Sequence, residues 1–246
     1  MKTIVVIPAR YESSRMRGKV LAKKTGKYLV QHTYERALCA RRVTEVIIAT
    51  DDERVKDACR QFGAPCVMTS SAHQSGTDRV AEVAADRECD AIVNLQADEP
   101  EISPDYIDTT IALLADNTEV QMATLLAPFV KSEDIENPNI VKCVTDTNGR
   151  ALYFSRLPIP YDRNLAGVGD LEKYHRHLGI YAYRRDFLLV YTTLPKSRLE
   201  ECEKLEQLRA LDNGFIIQTA TVENAWDGVD TPEQYATFVK RCNGKQ

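Results

Sequence analysis

The sequence predicts an α/β protein whose mostly parallel sheet is flanked by helices. Through the first half, short β-branched runs alternate with helical stretches, a beat that folds as parallel strands joined by right-handed crossovers. From about 138 to 183 the beat changes to a hairpin pattern, read as an antiparallel insertion or sheet extension. With 246 residues, 43% hydrophobic and 28% charged, the chain can bury a proper core, and one domain over 1–246 accounts for it.

The elements follow in order. Thr3-Ile4-Val5-Val6-Ile7 is too short for a helix and stops at Pro8, so it reads as a strand. A helical stretch near 30–41, a strand at 45–49, a helix at 52–61, a short strand at 65–68, a helix at 77–86 and a strand at 91–95 continue the alternation. Ser103-Pro104-Asp105 opens a helix over 104–115, with a capping residue and a proline at the first helical position. A strand at 121–126 follows. Val141–Val144, the turn Asp146-Thr147-Asn148-Gly149 and Ala151–Phe154 form the hairpin. Helices near 184–191 and 200–212, a strand near 215–220 and a helix from Thr231 to about 241 complete the chain.

The net charge of −4 and pI near 5.7 argue against a nucleic-acid or anionic-membrane surface, both of which favour broad basic patches. Seven cysteines, odd in number and without a C-x-x-C pair, speak against a disulfide framework or a structural zinc site. No apolar run approaches the roughly 18 residues that span a bilayer. A soluble cytoplasmic protein is expected.

The cations are concentrated where chemistry is expected. Ligands of open α/β sheets bind at the carboxyl ends of the strands, and the loop after the first strand carries Arg10, Arg15, Arg17 and Lys19. Such groups make forked and point-charge contacts to phosphate oxygens, and Gly18 lets backbone come close. Neither G-x-G-x-x-G nor G-x-x-x-x-G-K-[ST] occurs, so a dinucleotide dehydrogenase and a P-loop kinase both lose support. A triphosphate held by side-chain cations fits best. At the tip of strand 91–95, Gln96-Ala97-Asp98-Glu99-Pro100 places Asp98 where a carboxylate holds Mg²⁺ against phosphates, although aspartate also suits a turn there. Asp230, before Thr231-Pro232, is the second metal candidate and also fits a helix start. Ser13, Ser14, Ser75 and Ser155 read as loop hydrogen-bonders, since no Ser-His-Asp set is evident.

Seven motifs occur in order along nearly the whole chain. They are Pro8-Ala9-Arg10-Tyr11 with Ser13, Arg15, Gly18 and Lys19; His73 to Arg79; Gln96 to Pro100; Ala151 to Arg156; His177 to Tyr181; Leu205 to Arg209; and Gly228 to Pro232. Together they resemble the 3-deoxy-manno-octulosonate cytidylyltransferase family, the CMP-Kdo synthetases. The resemblance implies a Rossmann-like, nucleotide-diphospho-sugar-transferase-like fold. It implies an enzyme that makes CMP-Kdo and diphosphate from CTP and Kdo for lipopolysaccharide biosynthesis, with Mg²⁺ as cofactor and a homodimer assembled through the 138–183 region. In-line transfer at the α-phosphate needs a positioned hydroxyl and charge neutralisation. Lys19, Arg15 and Asp98 are then the catalytic candidates, with Asp98 and Asp230 on the metal. Pro8, Ala9, Arg10, Lys19, His73, Ser75, Gly76, Thr77 and Gln96 face the nucleotide by resemblance, and Arg79, Arg156, His177, Tyr181, Glu206 and Gln207 the sugar acid.

Three departures stand out. Met16, Arg17 and Val20 occupy an R-L-P-G-K-P-L pattern, removing two prolines that rigidify the loop and adding a cation. Ala97 replaces glycine, which matters only if that position needs positive φ or close ligand approach. Asp78, before Arg79, stands where the resemblance implies Glu, a smaller change. The acceptor stays open between Kdo, 8-amino-Kdo and a sialic-acid-like 2-keto acid. A non-catalytic nucleotide-binding relative is the remote alternative.

Overall fold

The structure, a computed structural model, describes residues 1–12, 15–225 and 228–244. Ser13 and Ser14 lie outside the described residues. In chain order the elements are β1 (Thr3–Pro8), a 3₁₀ turn (Lys19–Leu21), α1 (Leu29–Leu38), β2 (Glu45–Thr50), α2 (Glu53–Gln61), β3 (Cys66–Met68), α3 (Gly76–Ala85), β4 (Ala91–Asn94) and α4 (Pro104–Ala115). There follow β5 (Met122–Pro128), α5 (Glu133–Glu136), β6 (Lys142–Thr145), β7 (Ala151–Ser155), a 3₁₀ turn (Leu171–Lys173), β8 (His175–Arg184), α6 (Arg185–Tyr191), α7 (Arg198–Glu203), α8 (Leu208–Asp212), β9 (Ile217–Thr221) and α9 (Pro232–Asn243). The chain forms two compact units, Met1–Asp108 with Trp226–Gln246, and Thr109–Ala225.

In the first unit the strands run β3-β2-β1-β4 and all pair in parallel. Thr3 through Pro8 are buried at every position, as expected of a strand covered on both faces. Parallel pairing also brings the loops after all four strands out at one edge, and those loops carry the predicted nucleotide residues. Helix α9 is tied to this unit by Tyr235 and Phe238, which pack with Leu29 and Val229 against Met16 and Ala22. Burial of a side chain such as Phe238 contributes roughly 2–3 kcal/mol, and it anchors the segment that carries Asp230.

In the second unit β5 pairs in parallel with β9 and antiparallel with β8, and β6 pairs antiparallel with β7 and β8. The hairpin expected near 141–154 is β6–β7. The register of β5 against β8 jumps between Thr124, opposite Tyr181, and Leu125, opposite Leu178. Gly179 and Ile180 are thus left as a bulge, the feature that re-aims side chains in a sheet. Parallel pairing in the first unit and mixed pairing in the second give the α/β class that the sequence predicts.

One helix reading is corrected. The single helix expected over 200–212 is two short helices, α7 and α8, because Lys204 adopts a left-handed conformation with φ 53° and ends α7. A non-glycine residue in that region gives no sequence signal. The two helices are joined by a buried fork in which Arg209 donates to Glu200 at 2.8 and 2.6 Å. Glu200 also completes the capping box with Ser197 that starts α7.

Candidate active site

The loop after β1, the start of α3, the loop after β4 and the segment before α9 line a cavity of about 360 Å³. Pro8, Arg10, Glu12, Arg15, Lys19, Ser75, Gly76, Gln96, Asp98 and Asp230 are on its wall. Local folding explains each position. Proline ends β1, so the backbone leaves the sheet and exposes the loop cations, with Arg10 oriented by donation from Nη2 to His73 O at 3.1 Å. Helix α3 opens with Ser75 accepting from Asp78 N and Asp78 accepting from Ser75 N, a capping box that leaves the helix N-terminus at the cavity. Such an end favours anions through its free N–H groups and dipole. Gly76 packs beside Pro8, where an added Cβ would lie in ordinary contact at 3.4 Å from Pro8 Cγ.

At the floor of the cavity Lys19 joins two carboxylates. Its Nζ donates to Asp98 Oδ2 and, at 2.7 Å, to Asp230 Oδ1. Arg15 Nη2 lies 3.0 Å from the other oxygen of Asp230. Neither aspartate is spent on a helix end. Thr231 caps α9 by accepting from Gln234 N at 3.3 Å, which leaves the Asp230 carboxylate turned to Lys19 and Arg15. The two carboxylate loops are pinned by Val229 N donating to Asp98 O at 2.8 Å. A Cβ at Gly228 would lie 3.0 Å from Glu99 Oε1, so a larger residue there would have to displace the Glu99 side chain.

Burial raises the Asp98 carboxyl above its ordinary range even with the Lys19 ammonium beside it. Burial pushes Asp230 in the same direction, but the hydrogen bond and charge of Lys19, with Arg15, hold it below. Burial weakens the Lys19 ammonium, yet the two aspartates raise it above the usual lysine range. Two carboxyl groups and two basic side chains thus face the cavity together.

Other predicted residues stand behind this wall. Ala9 is fully buried, its N–H on Ala49 O at 2.8 Å. Thr77 accepts from Asn94 Nδ2 at 3.3 Å, and Asn94 in turn accepts from Gln96 Nε2 at 3.1 Å. The His73 imidazole pairs with Glu82. Arg79 is fully buried at 0% exposure, paired with Asp51 at 2.7 Å and donating to Thr69 Oγ1. From there it fastens the loops after β2 and β3 to α3, not a cavity wall.

In the second unit His177, Tyr181 and Glu206 are gathered. The His177 and Tyr181 rings lie 5.3 Å apart, and Phe154 meets His177 edge-on at 5.0 Å. The Thr124 hydroxyl, 2.7 Å from Ile180 O, gives its proton there, so at 3.0 Å it accepts from His177 Nε2–H. Burial holds His177 neutral, lowered to about 3. Burial, reinforced by the charge of Glu206, raises the Tyr181 hydroxyl. Gln207 is buried at the start of α8. Arg156 directs its guanidinium at main-chain oxygens of Glu203, Pro138 and Lys204, at 2.6, 2.9 and 3.3 Å.

Glu12, Val20, Gln74 and Ala97 line the cavity without having been singled out from the sequence as site residues. Gln74 and Ala97 lie inside two of the motifs and Val20 among the departures, whereas Glu12 had only its place near Arg10 to mark it. Ala97 is not among the described positive-φ residues, so its methyl group carries no backbone strain. The extra cation, Arg17, is paired with Glu12 at 2.9 Å.

A family model described as Cytidylyltransferase matches residues 4–221. The chain is 50% identical over 232 residues to a 3-deoxy-manno-octulosonate cytidylyltransferase of Solibacter usitatus (strain Ellin6076), covering 94% of this chain and 91% of the relative. It is 48% identical over 250 residues to the protein of that name from Geobacter metallireducens (strain ATCC 53774 / DSM 7210 / GS-15), covering 99% and 98%. The solved structure of CMP:2-keto-3-deoxy-manno-octonic acid synthetase complexed with CTP superimposes with a TM-score of 0.94 at 43% identity, covering 100% of both chains. A cytidylyltransferase from Leptospira borgpetersenii serovar Hardjo-bovis (strain JB197) shares the fold at 18% identity, with a TM-score of 0.63 and coverage of 97% and 85%.

Proposed function

The chain belongs to the cytidylyltransferase family, and from that premise we propose that it activates 3-deoxy-D-manno-octulosonate with CTP, giving CMP-Kdo and diphosphate for lipopolysaccharide synthesis. The observation that carries the reading is the convergence of Lys19, Arg15, Asp98 and Asp230 on the floor of a cavity whose walls supply Arg10 and the N-terminus of α3.

The anomeric hydroxyl oxygen of the sugar acid forms a bond to the α-phosphorus. The bond from that phosphorus to the oxygen bridging it to the β-phosphate breaks, diphosphate departs, and the hydroxyl proton passes to water. Arg10 and the α3 N-terminus bind the triphosphate, while Lys19 and Arg15 meet charge building on the transferred phosphoryl group and the leaving diphosphate. Gln96, oriented by Asn94, faces the nucleotide.

Asp98 and Asp230 suit Mg²⁺. Two carboxylates that share one ammonium form a pair of hard oxygen donors, and no group of three or more His, Cys, Asp or Glu side chains gathers among the described residues. The remaining ligands would then be phosphate oxygens and water, the usual arrangement for this ion. When bound, the metal polarises the α-phosphate and lowers the pKa of the attacking hydroxyl.

His177, Tyr181, Glu206 and Gln207 are assigned to the sugar acid. Arg156 and Arg79 are assigned instead to holding loops, since both guanidinium groups are committed to protein atoms. Four large apolar residues within 138–183, Leu152, Leu157, Tyr161 and Leu165, are exposed, and homodimerisation through that region would cover them. Seven free thiols suit a reducing cytoplasm. No described helix is long and apolar enough to cross a membrane.

The test is diphosphate release with Mg²⁺ and a matrix of CTP, UTP and ATP against Kdo, 8-amino-Kdo and N-acetylneuraminate. Turnover confined to CTP and Kdo is expected. Turnover with another acid would keep the chemistry and reassign the acceptor, and no turnover with any pair would overturn the enzyme reading.

A further inference from the structure

The loop that presents Arg10, Arg15 and Lys19 contains no proline, and none occurs between Pro8 and Pro65. Its order must come from contacts. Alternate residues of the loop face opposite ways: Arg10 and Glu12 line the cavity, and Tyr11 does not. The Tyr11 ring lies instead under Gly18, where an added Cβ would meet ring atoms at 3.1–3.2 Å and where φ is +67°. Gly18 N donates to Tyr11 O at 2.8 Å and closes the loop on itself.

The Arg54 guanidinium lies 3.4 Å from the Tyr11 ring centroid. Arg54 comes from α2, and it is fixed by Asp52, which accepts from Nε at 2.9 Å and Nη2 at 2.6 Å while capping the same helix. Arg17, held by Glu12, approaches the ring at 5.9 Å. Tyr11 is therefore a wedge between a glycine and a helix-anchored guanidinium, one residue from Arg10 and beneath the turn that leads into Lys19.

We propose that Tyr11 and Arg54 are positioning residues for the triphosphate. The stacked pair, set by the N-terminal turn of α2, fixes the conformation in which Arg10, Arg15 and Lys19 point into the cavity. Neither residue touches the nucleotide. Their effect is preorganisation, since a loop ordered before binding loses less freedom when CTP arrives. Asp52 balances the Arg54 charge, so the pair acts through the ring contact and not through long-range attraction.

This inference rests on the cytidylyltransferase reading of the cavity, and the experiment separates the two. Steady-state kinetics with CTP would be measured for Arg54→Ala, Arg54→Lys, Tyr11→Leu, Tyr11→Phe and the reference Arg10→Ala, with melting temperatures alongside. A stacked cation near the surface corresponds to about a two- to fivefold rise in KM for CTP in Arg54→Ala, with kcat held. Tyr11→Leu should match it, whereas Tyr11→Phe keeps the ring and Arg54→Lys keeps a cation over it, so both should recover most of the affinity. Trypsin should also cut after Arg15 or Arg17 faster in Arg54→Ala than in the wild type without CTP. An unchanged KM in Arg54→Ala, whether or not its melting temperature falls, would overturn the proposal, as would a Tyr11→Phe variant as impaired as Tyr11→Leu. An Arg10→Ala variant with wild-type KM for CTP would instead show that the phosphate reading of this loop is wrong, and the proposal would fall with it.

Discussion

Lys19 Nζ lies 2.7 Å from Asp230 Oδ1 while also donating to Asp98, so the two proposed metal ligands already share a cation. A divalent ion must compete with that ammonium for the same oxygens. Replacement by an uncharged side chain of similar length removes the competitor. Lys19→Met is expected to bind Mn²⁺ more tightly than the wild type in the absence of CTP, by electron paramagnetic resonance titration, while losing on the order of 10²-fold in turnover for want of a group on the transition-state charge. Equal Mn²⁺ affinity in the two proteins would show that Lys19 does not occupy the metal's place.

Asp98→Asn keeps the shape of the carboxylate and removes its charge. Diphosphate release should fall by at least about 10²-fold, as expected when a group acting on the transferred phosphoryl is lost. Circular dichroism should be unchanged, because Lys19 retains Asp230. Activity near the wild-type level at saturating Mg²⁺ would remove Asp98 from the metal site.

Arg79 illustrates the opposite case. Its guanidinium is fully buried against Asp51 and Thr69, and truncation leaves the Asp51 carboxylate without its partner. Arg79→Ala should lower the free energy of unfolding by about 2–3 kcal/mol, at or below the roughly 3–5 kcal/mol for a fully buried broken pair because Asp51 keeps some solvent contact. Urea denaturation measures this. At temperatures where the variant remains folded, the KM for the sugar acid should stay near the wild-type value, and a selective rise in that KM would restore Arg79 to the sugar pocket.

That contrast marks how far the sequence reaches. β1, β2 and β4 were legible because they are β-branched runs buried on both faces, and the loop that lines the cavity because four cations follow a strand ended by proline. The direction of a side chain was not legible. Arg10, Arg79 and Arg156 are the same residue type in equally distinctive motifs, yet one lines the cavity, one is sealed beneath loops and one holds three main-chain carbonyls. The break at Lys204 and the stack of Arg54 on Tyr11 are likewise set by tertiary contacts, for which local sequence carries no pattern.

The exposed apolar residues Leu157 and Tyr161, at 69% and 67% exposure, should lie within the dimer contact. Leu157→Asp combined with Tyr161→Asp places charge at the centre of that contact, where desolvation is costly. Sedimentation velocity at micromolar concentration should show a dimer for the wild type and a monomer for the double variant. A wild-type monomer would refute the homodimer, and a dimeric double variant would move the interface elsewhere.

The neutral state of His177 gives the fold an acid-sensitive element. Burial lowers this imidazole from 6.5 to about 3, so between those values the unfolded chain binds a proton that the folded chain does not. Stability therefore rises with pH across that window. The contribution is fully present above pH 6.5 and is lost as the pH falls toward 3. His32 and His175 are also lowered, by burial foremost, so the wild-type slope sums several groups and the His177 share must be isolated by substitution. His177→Gln, which retains an N–H for Thr124, should unfold in urea with a shallower pH dependence between pH 6.5 and 5 than the wild type, by up to about 1.4 kcal/mol for each pH unit. Parallel profiles would mean that His177 takes up its proton in the folded protein, and the Thr124 hydroxyl would then no longer be the partner that fixes its neutral form.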